Sequence, residues 1–223
     1  MNRSDATQPP EPPPGQESGG GGASLTRAFF DDFYGDAPDP WGFESRWYEE
    51  RKRSLTMACL PTKRFSSAYE PGCSIGVLTA ALAPRCDHLL ATDISRTPLR
   101  TARKRLAGFP GVRFEQRRVP QEWPTGQFDL VMLSEIGYYC DAPDLDVLVQ
   151  KATSCLTADG VLVACHWRHP VAEYPLRGDD VHDALRTRSG LAVLAEHREA
   201  DFLLEVYVRP PAISVAGASG LLG

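Results

Sequence analysis

The chain reads as an α/β fold: a mostly parallel sheet with helices on both faces and a helical lid at the N-terminal side. Three stretches predict it. An apolar strand ending in Tyr69-Glu70 runs into the turn Pro71-Gly72-Cys73-Ser74-Ile75-Gly76, from which a helix starts. Leu89-Leu90-Ala91-Thr92-Asp93 is a second strand ending in a carboxylate, and Phe128-Asp129-Leu130-Val131-Met132-Leu133 is an acid-led strand that delivers Ser134-Glu135. In an open parallel sheet, ligands sit at the carboxyl ends of the strands.

The elements follow in order. Residues 1–23 are rich in Pro, Gln, Glu, Ser and Gly and cannot bury enough apolar surface to offset ordering entropy, so a disordered leader is expected. Residues 24–64 concentrate aromatics above the chain's 9% average: Phe29-Phe30-Asp31-Asp32-Phe33-Tyr34, Asp39-Pro40-Trp41-Gly42-Phe43 and Trp47-Tyr48. A helix pair packing these rings onto the core is expected, with Trp41 and Tyr48 as candidate lid residues over the site. The second helix continues through Leu60 to Pro61.

The core is expected over 65–209. Its first strand spans Ser67–Glu70, its first helix Gly76–Ala83, and its second strand Leu89–Asp93. Ser95 and Pro98 then supply a cap and first turn for a helix ending near Gly108. Val112–Arg117 is strand three and Phe128–Leu133 strand four. Leu145, Leu148, Val149, Ala152 and Leu156 recur at helical spacing, which predicts a helix over Asp144–Leu156 with one buried face. Val161–Cys165 forms strand five and delivers His166-Trp167-Arg168-His169-Pro170 to the site edge. A helix over Val181–Arg186 and two strands, Leu191–Glu196 and Phe202–Val208, complete the core. Pro210-Pro211 stops the last strand, and 210–223 reads as a flexible tail.

Composition narrows the function. With 223 residues and 42% hydrophobic content, one substantial core is the natural expectation. The net charge of −5 argues against a nucleic-acid partner, and the Arg96–Arg105 basic cluster reads as the solvated face of an amphipathic helix. Six cysteines, at 59, 73, 86, 140, 155 and 165, show no C-x-x-C or C-x-x-H spacing, so neither zinc nor a disulfide framework is expected. No apolar run reaches membrane-spanning length and no secretory signal is recognised, which leads to a cytoplasmic expectation without membrane or metal. Oligomeric state is left open.

Glycine lets backbone approach a ligand closely, and a carboxylate on the neighbouring strand tip can accept hydrogen bonds from ribose hydroxyls. Gly72 and Asp93 therefore outline a nucleoside cradle. The strand order and the pattern Glu70-x-Gly72-x-Ser74-x-Gly76 resemble the class I S-adenosylmethionine-dependent methyltransferases over about Phe65 to Val208. The resemblance implies a Rossmann-like, seven-stranded sheet with an antiparallel last strand, and S-adenosyl-L-methionine as cofactor. An acid at position 70 would repel a pyrophosphate but suits an amino group and a sulfonium. Ser74 departs from the family glycine, so its side chain is expected to point away from the ligand. The implied cofactor residues are Glu70, Gly72, Cys73, Gly76, Asp93, Ile94 and Ser134. Many family members carry an adenine-binding acid after strand three; Arg117-Arg118-Val119 stands here instead, and backbone near Arg118 and Val119 takes that place.

Asp39-Pro40-Trp41-Gly42, Ser134-Glu135-Ile136-Gly137-Tyr138-Tyr139 and His166-Trp167-Arg168-His169-Pro170 are similar to the nodulation protein S family. That resemblance implies N-methylation of the amine of an amino sugar in a chito-oligosaccharide. An ammonium has no lone pair, and a histidine can take its proton near neutral pH. His166 is the expected base or orienter, with His169 as the alternative. Glu135, Tyr138 and Arg168 are expected to fix the acceptor, with Trp41, Tyr48, Tyr139 and Trp167 around it. A small-molecule O-methyltransferase and a non-catalytic donor-binding module are the alternatives.

Overall fold

The computed structural model describes residues 22–222. The leader expected over 1–23 thus falls, apart from its last two residues, outside the described residues. Seven strands form one sheet: β1 (Phe65–Pro71), β2 (Cys86–Asp93), β3 (Val112–Gln116), β4 (Phe128–Ser134), β5 (Leu156–Trp167), β6 (Ala192–Arg198) and β7 (Phe202–Val208). Their spatial order is β3-β2-β1-β4-β5-β7-β6. β1 to β5 are parallel neighbours, and β7 runs antiparallel to both β5 and β6. From β1 the chain winds outward through β2 and β3, then returns to place β4 on β1's other side. That reversal opens a crevice above the carboxyl ends of β1 and β4, where this class of sheet holds ligands.

Strand alternation sends successive side chains to opposite faces. Val131, Leu133, Leu162 and Ala164 meet Leu148 of α5 (Ala142–Ser154) and Leu185 of α6 (Gly178–Arg188). Leu130, Met132, Val163 and Cys165 join Leu60, beyond α2 (Trp47–Ala58), and Leu82 of α3 (Val77–Leu82) on the other face. Burying each such leucine contributes about 2 kcal/mol. α5 shows the predicted stripe, and Asp141 caps it by accepting from Asp144 N at 2.9 Å. α4 (Arg96–Arg105) is capped by Ser95 and seats Leu99 beside Ala91 and Cys73.

The N-terminal segment closes over the carboxyl edge of the sheet. Leu25 N donates to Tyr139 O at 2.8 Å, and Ser95 Oγ to Asp31 Oδ1 of α1 (Arg27–Asp36) at 2.6 Å. Tyr34 Oη donates to Ser74 Oγ at 2.7 Å. A ring cluster of Phe33, Tyr34, Trp41 and Phe43 stiffens the connection to α2.

Several boundaries move relative to expectation. α5 ends at Ser154, and β5 begins at Leu156 with a register shift against β4 before settling at Leu130↔Val161. β5 also runs two residues past Cys165, so His166 pairs with Leu203 inside the ladder. α6 starts at Gly178 rather than Val181. Beyond Pro210-Pro211 the tail carries a short helix, α7 (Val215–Ala218), capped by Ser214. Among the described residues, no helix is long and apolar enough to cross a membrane.

Candidate active site

A cavity of about 1250 Å³ opens above β1 and β4 and reaches beneath the N-terminal segment. One end is the turn after β1. Gly72 has φ +71, and a Cβ there would lie 2.1 Å from Ile136 Cγ2, so both backbone and packing demand glycine. Glu70 at the tip of β1 is buried, and its Oε2 has no hydrogen-bond partner among the described residues. Burial pushes the Glu70 carboxyl up to about 8. Asp93 Oδ2 accepts from Ser74 N and Oδ1 from Ser95 N, both at 2.9 Å, which ties the turn to the start of α4. Burial pushes Asp93 up to about 6 against the opposing effect of those hydrogen bonds.

Glu70, Gly72, Cys73 and Asp93 line this end. Ile94, Arg118, Val119 and Ser134 line its adjoining walls. Ser74 also lies here, with φ +50, and its hydroxyl engages Tyr34 of the lid. Gly76 does not line the cavity. It is the left-handed cap of α3, packed where a Cβ would meet Ala102 Cβ at 2.9 Å, so its contribution is to the turn.

The residues fit an adenosyl donor. Buried Glu70 has no cationic partner among the described residues, and the glycine beside it leaves backbone uncovered. The methionine ammonium and sulfonium of S-adenosylmethionine would supply such a charge.

The other end is acidic and aromatic. Glu135 follows β4 with φ +58, a conformation that costs about 1–3 kcal/mol for a residue other than glycine. Three donors hold it there. Lys52 Nζ donates to Oε1 at 2.7 Å, Trp167 N to Oε2 at 3.0 Å, and Tyr138 Oη to Oε2. Lys52 also pairs with Glu49 one turn earlier on α2, Nζ to Oε2 at 3.0 Å. Burial alone would push the Lys52 ammonium down, but the Glu135 and Glu49 carboxylates outweigh it and hold it above its ordinary range. Tyr48 lines the same wall, with the Lys52 ammonium 5.0 Å from its ring centroid and Trp167 edge-on at 5.5 Å. Tyr138 stacks on Tyr174, and Tyr139 meets Phe30 edge-on. Burial pushes both the Tyr138 and Tyr139 phenols well up, so they stay neutral.

Trp41, Tyr48, Tyr139 and Trp167 therefore line the cavity together with Glu135 and Tyr138. His169 lies at its rim, half exposed, with Nε2 2.9 Å from Asp201 Oδ1. Besides Gly76, two expected residues are not in the cavity. Arg168 turns outward to Asp179, two bonds at 2.8 Å, and donates to Glu199 O. His166 is fully enclosed on the α6 face of the sheet.

The surroundings of His166 fix its tautomer. Gly137 N donates to Nε2 at 3.2 Å, so Nδ1 carries the proton and donates to His182 Nε2, also at 3.2 Å. His182 Nδ1 in turn donates to Glu205 Oε2 at 2.5 Å, and Arg186 and Tyr207 complete the Glu205 shell. Burial above all, with the Lys52 ammonium adding to it, pushes His166 well below the ordinary imidazole range. Burial alone would raise Glu205, but these partners prevail and hold it down at about 2. His166 is thus a neutral structural link behind the Gly137–Tyr139 turn, not a base facing the cavity.

Sequence reasoning missed Glu49, Lys52 and Tyr34. Within Glu49-Glu50-Arg51-Lys52-Arg53 every position is charged and nothing in the spacing singles out a buried one; docking of α2 against the sheet edge buries Glu49 and Lys52.

The seven-stranded order, the antiparallel β7 and a cavity at the β1/β4 reversal define a Rossmann-like methyltransferase fold. A nodulation protein S crystal structure from Bradyrhizobium japonicum WM9, an N-methyltransferase in complex with S-adenosyl-L-homocysteine, superposes with TM-score 0.70 at 22% identity, covering 77% of this chain and 92% of that one. The family model of nodulation protein S matches residues 32–174, and the chain belongs to that family. A candidate methyltransferase from Pseudomonas syringae is 47% identical, with TM-score 0.66 over 74% of this chain and all of that one. Nodulation protein S of Bradyrhizobium diazoefficiens is 26% identical over 129 residues, 56% of this chain. That match spans 61% of the Bradyrhizobium diazoefficiens protein.

Proposed function

We propose that the protein is an S-adenosylmethionine-dependent N-methyltransferase acting on the amine of an amino sugar or related small molecule. The observation that carries this reading is one continuous cavity joining the unpaired Glu70 to a wall of Glu49, Glu135, Tyr48 and Tyr138. Both ends favour cations: a sulfonium and ammonium at the turn, an acceptor ammonium at the wall. The complexed relative from Bradyrhizobium japonicum, an N-methyltransferase, supports the same chemistry.

S-adenosylmethionine, when bound, supplies an electrophilic methyl carbon whose transfer to nitrogen leaves the bonding electron pair on sulfur. Glu70 would neutralise the donor's amino group and Asp93 would receive the ribose hydroxyls. Gly72, Cys73, Ile94 and Ser134 line the same end and would hold the donor, with backbone near Arg118 and Val119 holding its adenine. Glu135, held in place by its three donors, fixes the acceptor's position together with Tyr138. Trp41, Tyr48, Tyr139 and Trp167 exclude water from the transfer path. His169 stands at the entrance, where it can contact the rest of the acceptor.

A mass-spectrometric transfer assay tests this, with glucosamine, deacetylated chito-oligosaccharides, N-acetylglucosamine and catechol as acceptors. N-methyl product from the free amines alone is expected. Product only from catechol would replace the amine reading with O-methylation, and no product from any acceptor despite donor binding would indicate a binding module.

A further inference from the structure

We propose that Glu49 is the base that takes the proton from the acceptor's ammonium group and so exposes the nitrogen lone pair. The proposal rests on the amine reading above and deepens it. Elimination within the cavity leads there first. Glu135 already accepts from Lys52, Tyr138 and Trp167. Glu70 and Asp93 belong to the donor end, His169 is at the rim with Asp201, Glu173 is exposed to solvent, and His166 is outside the cavity.

Glu49 is different. Its side chain is 11% exposed, it lines the cavity, and Lys52 Nζ is its only side-chain hydrogen-bond donor among the described residues, at 3.1 Å to Oε1 and 3.0 Å to Oε2. A carboxylate has about four lone-pair sites, so most of its accepting capacity is unused. Next to it in sequence, Tyr48 Oη is buried without a partner among the described residues and can accept a second ammonium hydrogen.

The charges facing Glu49 make the transfer workable. Lys52 and Arg53 come from its own helix, and Glu135 faces it from the end of β4. Burial pushes the Glu49 carboxyl up; Lys52 opposes this and Glu135 adds to it. The carboxyl is thereby brought closer to an ammonium in proton affinity, which favours transfer between them. Glu49, Lys52 and Glu135 together carry one net negative charge, which draws in the ammonium. The N–H bond then breaks, its electron pair stays on nitrogen as the nucleophilic lone pair, and the proton bonds a Glu49 oxygen. Lys52 keeps Glu135 as its partner throughout, so no buried cation is stranded. After methyl transfer Glu49 returns its proton to solvent through the cavity mouth.

Glu49→Gln preserves shape and the acceptor oxygen for Lys52 while abolishing proton uptake. Single-turnover methyl transfer to glucosamine is measured across about pH 6 to 9, with a roughly 10²- to 10³-fold loss of kcat expected near neutrality. That deficit shrinks as pH rises, because free amine then forms without the base. S-adenosylhomocysteine affinity, measured by calorimetry, stays unchanged. In an activity-independent arm, glucosamine and N-acetylglucosamine are titrated into the S-adenosylhomocysteine complex; wild type prefers the free amine and E49Q loses that preference.

Wild-type kcat in E49Q, or a deficit of constant size at every pH, overturns the proposal while leaving the amine reading intact. A wild-type enzyme inert toward every amine overturns both. Should E49Q fail to fold, Glu49→Asp withdraws the carboxylate by one methylene: a lowered kcat with the wild-type pH profile supports the role, and an unaltered kcat overturns it.

Discussion

Lys52→Met isolates the contact that joins the N-terminal helix to the sheet edge. Lys52 Nζ lies 2.7 Å from Glu135 Oε1 and 3.0 Å from Glu49 Oε2, and its side chain is 7% exposed. Methionine keeps the stem's packing but leaves two carboxylates facing each other without a cation. Removing one member of a buried ion pair costs about 3–5 kcal/mol, and the adjoining cavity lets water relieve part of it, so about 3 kcal/mol is expected. At about 2–4 °C per kcal/mol for a chain of this size, the melting temperature should fall by roughly 6–12 °C at neutral pH. The pH dependence carries the mechanism. Without Lys52 the main influence opposing burial at Glu49 is gone and its carboxyl is pushed further up, so the stability it contributes is present at low pH and lost as pH rises. The gap between variant and wild type, measured by chemical denaturation, should therefore narrow toward about pH 5. A loss below about 1 kcal/mol, or one that is the same at acid and neutral pH, would refute the clamp.

Two further predictions follow from buried titratable groups. Glu70 is raised from its ordinary 4.5 to about 8, so its contribution to stability is complete below pH 4.5 and is lost as pH rises through 8. Glu70→Gln should raise the melting temperature of the ligand-free protein at pH 8 and weaken donor binding about tenfold or more, with unchanged donor affinity contradicting the cation role. His166 is depressed, so wild-type stability should be lost as pH falls below about 6.5, by up to roughly 1.4 kcal/mol per pH unit. His166→Ala should cost about 3 kcal/mol through a cavity and an unsatisfied Gly137 amide, and flatten that acid limb while donor affinity holds. A collapse of turnover in H166A at full stability would restore His166 to the chemistry.

What was legible in the sequence was what is local. The Tyr69-to-Gly76 turn and the Asp93 strand tip are specified within a few residues each, and Glu70, Gly72, Cys73 and Asp93 line the cavity. His166 was misread because strand five was expected to stop at Cys165. The pairing continues to Trp167↔Phe202, and alternation then turns His166 onto the face of Leu162 and Ala164, toward α6. Arg168 followed the same error, since the longer strand carries it past the edge to Asp179. Glu49 and Lys52 were illegible for a different reason. Their burial comes from where α2 docks, a tertiary fact that no spacing within Glu49-Glu50-Arg51-Lys52-Arg53 encodes. Glu135 was singled out from the sequence for its position at a strand tip, but the left-handed backbone that aims it was not foreseeable in a non-glycine residue.

The central claim is that the β1 turn and the β2 tip hold one adenosyl donor, with Glu70 as its charge partner. Isothermal titration of S-adenosylhomocysteine into the wild-type chain and into Glu70→Gln tests this most directly. Saturable heat at one ligand per chain, weakened in the variant, is the predicted result; a folded wild-type protein that gives no binding heat and no thermal stabilisation with this ligand would contradict it.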